Sequence, residues 1–240
     1  MKRPRSEIEA RLGFEIKRGS LPAWLPFAIL FLAAVILLLF WDSIPERWVT
    51  HWAFDGRPDG WTSKSPLGVF LPLAVGALLC VFLEALARSI ANRTTAGEGF
   101  NLSEEAVAVM AEATAYLLRL TNVSMASLMA VVAVALPLYQ PRSPMFVVVC
   151  AILFVALPIV PGLARYRRDF RALKERGLLG GAEGWNGFFY SNPRDSRLWV
   201  PKPFGYGYTI NFAHPWAWPM FLFILAVPVT IVIPVLVLAS

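Results

Sequence analysis

LPAWLPFAILFLAAVILLLFW, Leu21 to Trp41, holds no charged residue across 21 positions. A helix rises ~1.5 Å per residue and the hydrocarbon core of a bilayer is ~30 Å thick, so about 20 mainly apolar residues suffice to cross it. Four more stretches meet the same test: Leu67 to Ile90, Leu120 to Gln140, Met145 to Ala164 and Trp216 to Ser240. Only Glu84 and Arg88 bring full charges into any of the five. A composition of 57% hydrophobic residues and a mean hydropathy of +0.58 exceed what a soluble domain of this length carries. The expected fold class is an all-α polytopic membrane protein with five transmembrane helices and a small cytoplasmic β-hairpin insert before the last.

The polar stretches set the orientation. The N-terminal tail, the connection between the second and third apolar stretches taken with Arg88 at the end of the second, and the long segment before the fifth together hold 18 of the 22 Lys and Arg; the alternate connections hold 4. By the positive-inside rule the richer faces are cytoplasmic, which places the N-terminus inside, the loop 42–66 outside and the C-terminus outside. The net charge of +6 is thus topological, and no nucleic-acid partner is expected. The first apolar stretch is longer than a signal h-region and lacks an A-x-A-like site before Asp42, so it reads as an uncleaved span. Cys80 and Cys150 sit inside apolar stretches, where they read as packing residues outside any disulfide framework or metal motif.

The division along the chain follows. Residues 1–20 form a cytoplasmic amphipathic tail with Ile8, Leu12 and Ile16 at four-residue spacing; 21–90 carry helices one and two around the structured loop 42–66. Residues 91–164 hold a cytoplasmic helical extension and helices three and four. Asn101 and Ser103 are cap candidates, and Glu105, Glu112 and Arg119 recur every seven residues as a solvated stripe. Residues 165–213 hold a basic segment, RYRRDFRALKERG, and a small β domain with strands expected at Arg197 to Val200 and Tyr208 to Phe212; 214–240 hold helix five, which Pro219, Pro228 and Pro234 should kink. Asn122, Ser124 and Ser127 in the third stretch suit contacts between helices.

The outside loop is the most informative segment. Two Asp-Gly steps and a proline predict successive tight turns, and Trp48, Trp52 and Trp61 suit the headgroup region, where an indole buries its ring and still satisfies its N–H. The loop is therefore expected to be folded. The pattern formed by Ile44, Pro45, His51, Trp52, Asp55, Gly56, Pro58, Asp59, Gly60, Trp61 and Lys64 resembles the SdpI-type bacterial membrane family. That resemblance implies a toxin-immunity or signalling role in the bacterial cytoplasmic membrane, with an extracellular peptide as partner and His51, Trp52, Asp55, Asp59, Trp61 and Lys64 as the ligand-binding set. A second run, YSNPRDSRLWVPK followed by GYTINF, resembles a small uncharacterised domain that accompanies such membrane modules. Its Asn192, Asp195, Trp199, Lys202 and Asn211 are the expected surface for a cytoplasmic protein partner.

Other chemistries leave fewer traces. His51, Asp55 and Asp59 are types that can converge on a metal, but without a ligand-spacing signature the alternatives are a turn network or a peptide-contacting surface. Glu84 is an intramembrane acid and so a candidate functional group, while Arg88 four residues on offers a structural ion pair. No HExxH, GxSxG, Walker or GxGxxG pattern is present; no catalytic residue, metal or cofactor is expected. The readings in competition are a ligand- or peptide-binding immunity or signalling protein, a transporter or transporter subunit resting on Glu84 and the proline-rich fifth stretch, and a membrane enzyme using His51.

Overall fold

The computed structural model describes residues 21–53, 55–92, 100, 102–141, 144–181, 183–204, 207–224 and 226. The amphipathic tail expected over 1–20 and most of the fifth apolar stretch, with Pro228 and Pro234, lie outside the described residues. In chain order the elements are α1 (Leu25–Leu39), a 3₁₀ turn (Trp41–Ser43), strands β1 (Arg47–Trp52) and β2 (Pro58–Ser63), and then α2 (Pro66–Ala91), α3 (Glu104–Tyr139) and α4 (Met145–Glu175). Four short strands follow, β3 (Trp185–Asn186), β4 (Phe189–Tyr190), β5 (Trp199–Pro201) and β6 (Tyr208–Ile210). Residues 217–224 are helical again.

Three of these helices, α2, α3 and α4, are long and apolar enough to cross a membrane. The expected five spans therefore stand at three among the described residues. Helix α1 has 15 residues, short of the 21 apolar positions around it. Its sequence explains the difference. Pro22 and Pro26 cluster at its start, where a missing N–H costs nothing, and Trp24 is the cap residue; at the other end the chain tightens into the 3₁₀ turn.

Helix α3 begins where its sequence signals. The Ser103 hydroxyl accepts the Ala106 N–H at 3.1 Å, and Glu104 and Glu105 occupy the positive end of the dipole. Pro137 lies two residues from its end, and Gln140 then turns left-handed at φ 44°. Helix α4 runs on past the expected end at Ala164, so the basic run is helical to Glu175. It closes on Gly177 at φ +69°, with the Leu178 N–H reaching back to the Leu173 carbonyl at 3.1 Å.

The chain forms two compact units, each built from segments distant in sequence. The unit holding Ser20–Ala87 and Leu117–Pro161 has a core of Leu30, Leu37, Ile44, Trp48, Val69, Leu73, Cys80, Ala126, Ala130 and Ala133. Its most apolar α3 positions are 50% buried against 28% for α2, so α3 is the inner helix. The outward side chains are apolar too: Leu39 is 76% exposed, Leu78 72% and Phe31 71%. A surface this greasy has hydrocarbon as its natural solvent. Asn122, fully buried, donates its amide to the Cys80 carbonyl at 3.1 Å and ties α3 to α2, whereas Ser124 and Ser127 bond carbonyls of their own helix.

The second unit, with Arg88–Tyr116 and Gly162–Ala239, packs Val109, Met110 and Ala113 of α3 against Tyr166, Phe170 and Leu173 of α4 and against Trp185, Tyr190, Val200 and Phe204. Glu105, expected on a solvated stripe, is buried here. Hairpins β3–β4 and β5–β6 are joined by a parallel bridge between Tyr190 and Asn211. Both strands depart from the expected bounds: β5 runs Trp199–Pro201, with Arg197 turning toward Asp195 instead, and β6 ends at Ile210, short of Phe212.

Candidate functional site

The loop between α1 and α2 is a β-hairpin. Ile44 and Trp48, 2% and 4% exposed, sink into the apolar core beside Leu37, Val69 and Leu73 and fix its base. Trp41 stacks on Phe70 with ring centroids 6.2 Å apart. Strands β1 and β2 run antiparallel from the Arg47–Ser63 pair to the Trp52–Pro58 pair, with irregularities on either side of His51. The two Asp-Gly steps differ. Asp55-Gly56 is a turn: Gly56 has φ +83°, its N–H reaches the Ala53 carbonyl, and the Asp55 carboxylate accepts the Arg57 N–H. Asp59-Gly60, expected as a second turn, lies inside β2. Gly60 stands opposite His51 so closely that an added Cβ would come within 2.7 Å of the histidine Cβ, so glycine here permits close strand approach.

The polar groups of the hairpin engage one another across the strands. His51 Nδ1 lies 2.5 Å from Asp59 Oδ1, Thr50 and Thr62 hydroxyls meet at 3.2 Å, and the Arg47 guanidinium sits 4.9 Å over the Trp61 ring. The Lys64 ammonium lies 5.6 Å over Trp41. Asp55 turns away from this set and pairs with Arg57 at 3.3 Å. Of the six residues expected to bind ligand, His51 and Asp59 are brought together, Trp61 is exposed on the same strand pair beneath Arg47, Asp55 is exposed at the tip, and Trp52 and Lys64 are half-buried. Of the three tryptophans expected at headgroup depth, Trp48 is a core residue instead. Among the described residues no group of three His, Cys, Asp or Glu is placed to hold a metal ion.

The second expected set splits as well. Asn211 is fully buried and acts as the hub of the small β region: its Oδ1 accepts the Asn192 and Ala213 N–H groups, and its amide donates to the Asn192 and Asp195 carbonyls at 3.0 and 2.9 Å. Asp195 receives a forked pair of bonds from Arg197 and the Tyr190 hydroxyl. The Arg197 guanidinium first, and its backbone N–H second, hold the Asp195 carboxyl well below the usual carboxylate range. Burial first, with the Asp195 charge adding to it, pushes the Tyr190 phenol up. Asn192, Asp195 and Asn211 thus build the region. Trp199 is exposed and Lys202 half-buried.

A third polar group lies among the apolar helices. Glu84, 6% exposed, has Arg119 Nε 3.7 Å from its carboxylate, a cation from α3 that the sequence reading did not join to it. A cleft lined by Pro22, Pro26, Glu84, Arg119 and Asn122 adjoins them, too tight for a water molecule. Only tertiary structure joins Glu84 to Arg119, 35 positions apart in sequence.

Two family models match parts of the chain. Residues 28–76 match a domain of unknown function, DUF1648, which takes in most of α1, the hairpin and the start of α2. Residues 193–218 match a family of unknown function, DUF5808, which takes in β5 and β6. Together they cover less than half of the chain. No curated protein and no solved structure matches it.

Proposed function

We propose that this is a peptide-binding membrane protein of the immunity or signalling type, multi-pass in the bacterial cytoplasmic membrane, with the hairpin Arg47–Ser63 as its outside recognition surface. The reading rests chiefly on one observation. A hairpin anchored through Ile44 and Trp48 presents His51, Asp59, Arg47 and Trp61 in fixed mutual geometry at its surface. Groups held in place before a ligand arrives lose little entropy on binding, and the mix of ring, cation and carboxylate suits a peptide. The similarity of this loop to the SdpI type, and the bias of Lys and Arg toward the opposite connections, support the role and the orientation. In the test, cells carrying the wild type, a Trp61→Ala variant or a deletion are challenged with a panel of secreted antimicrobial peptides. The deletion and W61A strains should share altered killing curves; identical survival and transcription in all three would remove the reading.

The buried Glu84–Arg119 pair favours a second reading, a transporter subunit, because charge inside an apolar bundle is costly unless it is used or paired. Proteoliposome flux that is lost in Glu84→Gln would favour it. The cleft beside the pair, too tight for a water molecule, weighs against a resident substrate site.

A further inference from the structure

Alternation along the short strands sorts the β region into two faces. Tyr190 and Asn211 pair across the bridge, so Phe189 and Ile210 point the other way; Trp199 pairs with Ile210 and Pro201 with Tyr208, which puts all of these on that second face. The first face, with Tyr190, Val200 and Asn211, is buried against α3 and α4. On the second, Ile210 is buried, while Phe189, Trp199 and Tyr208 around it stay 53%, 46% and 61% exposed. Three half-exposed aromatic rings gathered on one face make an apolar patch of the kind that marks a membrane or protein contact.

The rings connect to the chain's next apolar segment. Phe189 meets Phe212 at 5.6 Å, and Phe212 meets Trp218 and Phe221 at 5.5 and 5.9 Å. Trp218 and Phe221 belong to the helical start of the stretch that begins at Trp216, itself 66% exposed. The turn that leads into β5 carries exposed Arg194 and Arg197, and Lys202 follows β5. Aromatic rings beside cations are the composition that settles at the boundary of headgroups and acyl chains.

We propose that the Phe189–Trp199–Tyr208 face lies on the bilayer, its rings at the headgroup boundary and Arg194 and Lys202 contacting anionic lipid phosphates, on the side from which the stretch at Trp216 departs. This docking does not depend on the peptide-binding reading or on which side is cytoplasmic.

Full-length protein in nanodiscs, with Cys80→Ala and Cys150→Ala, is spin-labelled at Trp199→Cys or Tyr208→Cys, with Lys174→Cys as a reference on exposed helix surface. Labels at 199 and 208 should collide more with oxygen than with an aqueous nickel chelate, and the reference the reverse. Adding anionic lipid to phosphatidylcholine should deepen the label at 199, and Arg194→Gln with Lys202→Gln should abolish that shift. Chelate accessibility at 199 and 208 equal to the reference would mean that water meets this face, and low accessibility to both oxygen and chelate would mean that a second copy or another protein covers it; either would overturn the proposal, and depth insensitive to anionic lipid would overturn its charge component. Unlabelled wild type supplies the check against misfolding: a lipid carrying a diazirine near the glycerol should cross-link within residues 185–212, and absence of adducts there would also overturn it.

Discussion

The hairpin Arg47–Ser63 and the small sheet over residues 185–212 both hold a carboxylate paired with a cationic side chain or a histidine, and they place it differently. In the hairpin the pair is at the surface, with the His51 and Asp59 side chains 58% and 38% exposed. In the sheet the carboxylate side of the pair is drawn in: the Asp195 side chain is 12% exposed, its backbone carbonyl is held by the fully buried Asn211, and its carboxylate is closed by Arg197 and Tyr190. A buried, satisfied network specifies a fold, because each group left unpaired would cost its full desolvation. An exposed pair costs little to break and stays available to a ligand. The hairpin takes its rigidity from Trp48 and leaves its polar groups at the surface, whereas the sheet's polar groups bond one another.

That contrast can be broken in several places. Trp48→Ala should have the largest effect, about 3–5 kcal/mol of lost stability from the cavity and the lost burial, read as earlier thermal unfolding in detergent and protease cleavage within 44–64. Cleavage unchanged from wild type would show that the hairpin is not anchored by its core residue. Asn211→Ala should cost about 2–4 kcal/mol, since it strands several buried backbone groups at once; limited proteolysis should open residues 185–212 while the hairpin fragment stays protected. Gly184→Ala should cost about 1–3 kcal/mol, because a left-handed φ of +85° is combined with an added Cβ only 2.9 Å from the Asn192 Cβ.

The folded Asp195 carboxyl titrates below its ordinary value of 3.8, so its contribution is complete above that value and is lost as pH falls toward the lower folded one. Unfolding of the sheet, followed by hydrogen exchange, should accelerate only below about pH 4, and Asp195→Asn should flatten that dependence. The smallest effect belongs to His51→Ala, which should change the melting temperature by an amount equivalent to less than about 1 kcal/mol. A loss comparable to that of Trp48→Ala would mean that the exposed pair carries the hairpin.

The apolar lengths of α2, α3 and α4 were legible in the sequence because membrane thickness imposes a minimum that few other structures share. The hairpin was legible as folded and not as strands. Its alternation is interrupted at His51, and an Asp-Gly step that ordinarily signals a turn serves at Asp59-Gly60 as a small residue inside a strand. The cap at Ser103 followed its local chemistry. Asn211 as a hub, Arg119 beside Glu84 and the burial of Glu105 were not legible, since each depends on residues brought close by tertiary packing.

The proposed orientation, with the hairpin outside and residues 185–212 inside, is tested in intact cells. With Cys80 and Cys150 replaced by alanine, a membrane-impermeant maleimide should label Thr62→Cys before lysis and Gly180→Cys only after it. Labelling of Gly180→Cys in intact cells, with Thr62→Cys silent until lysis, would contradict the account.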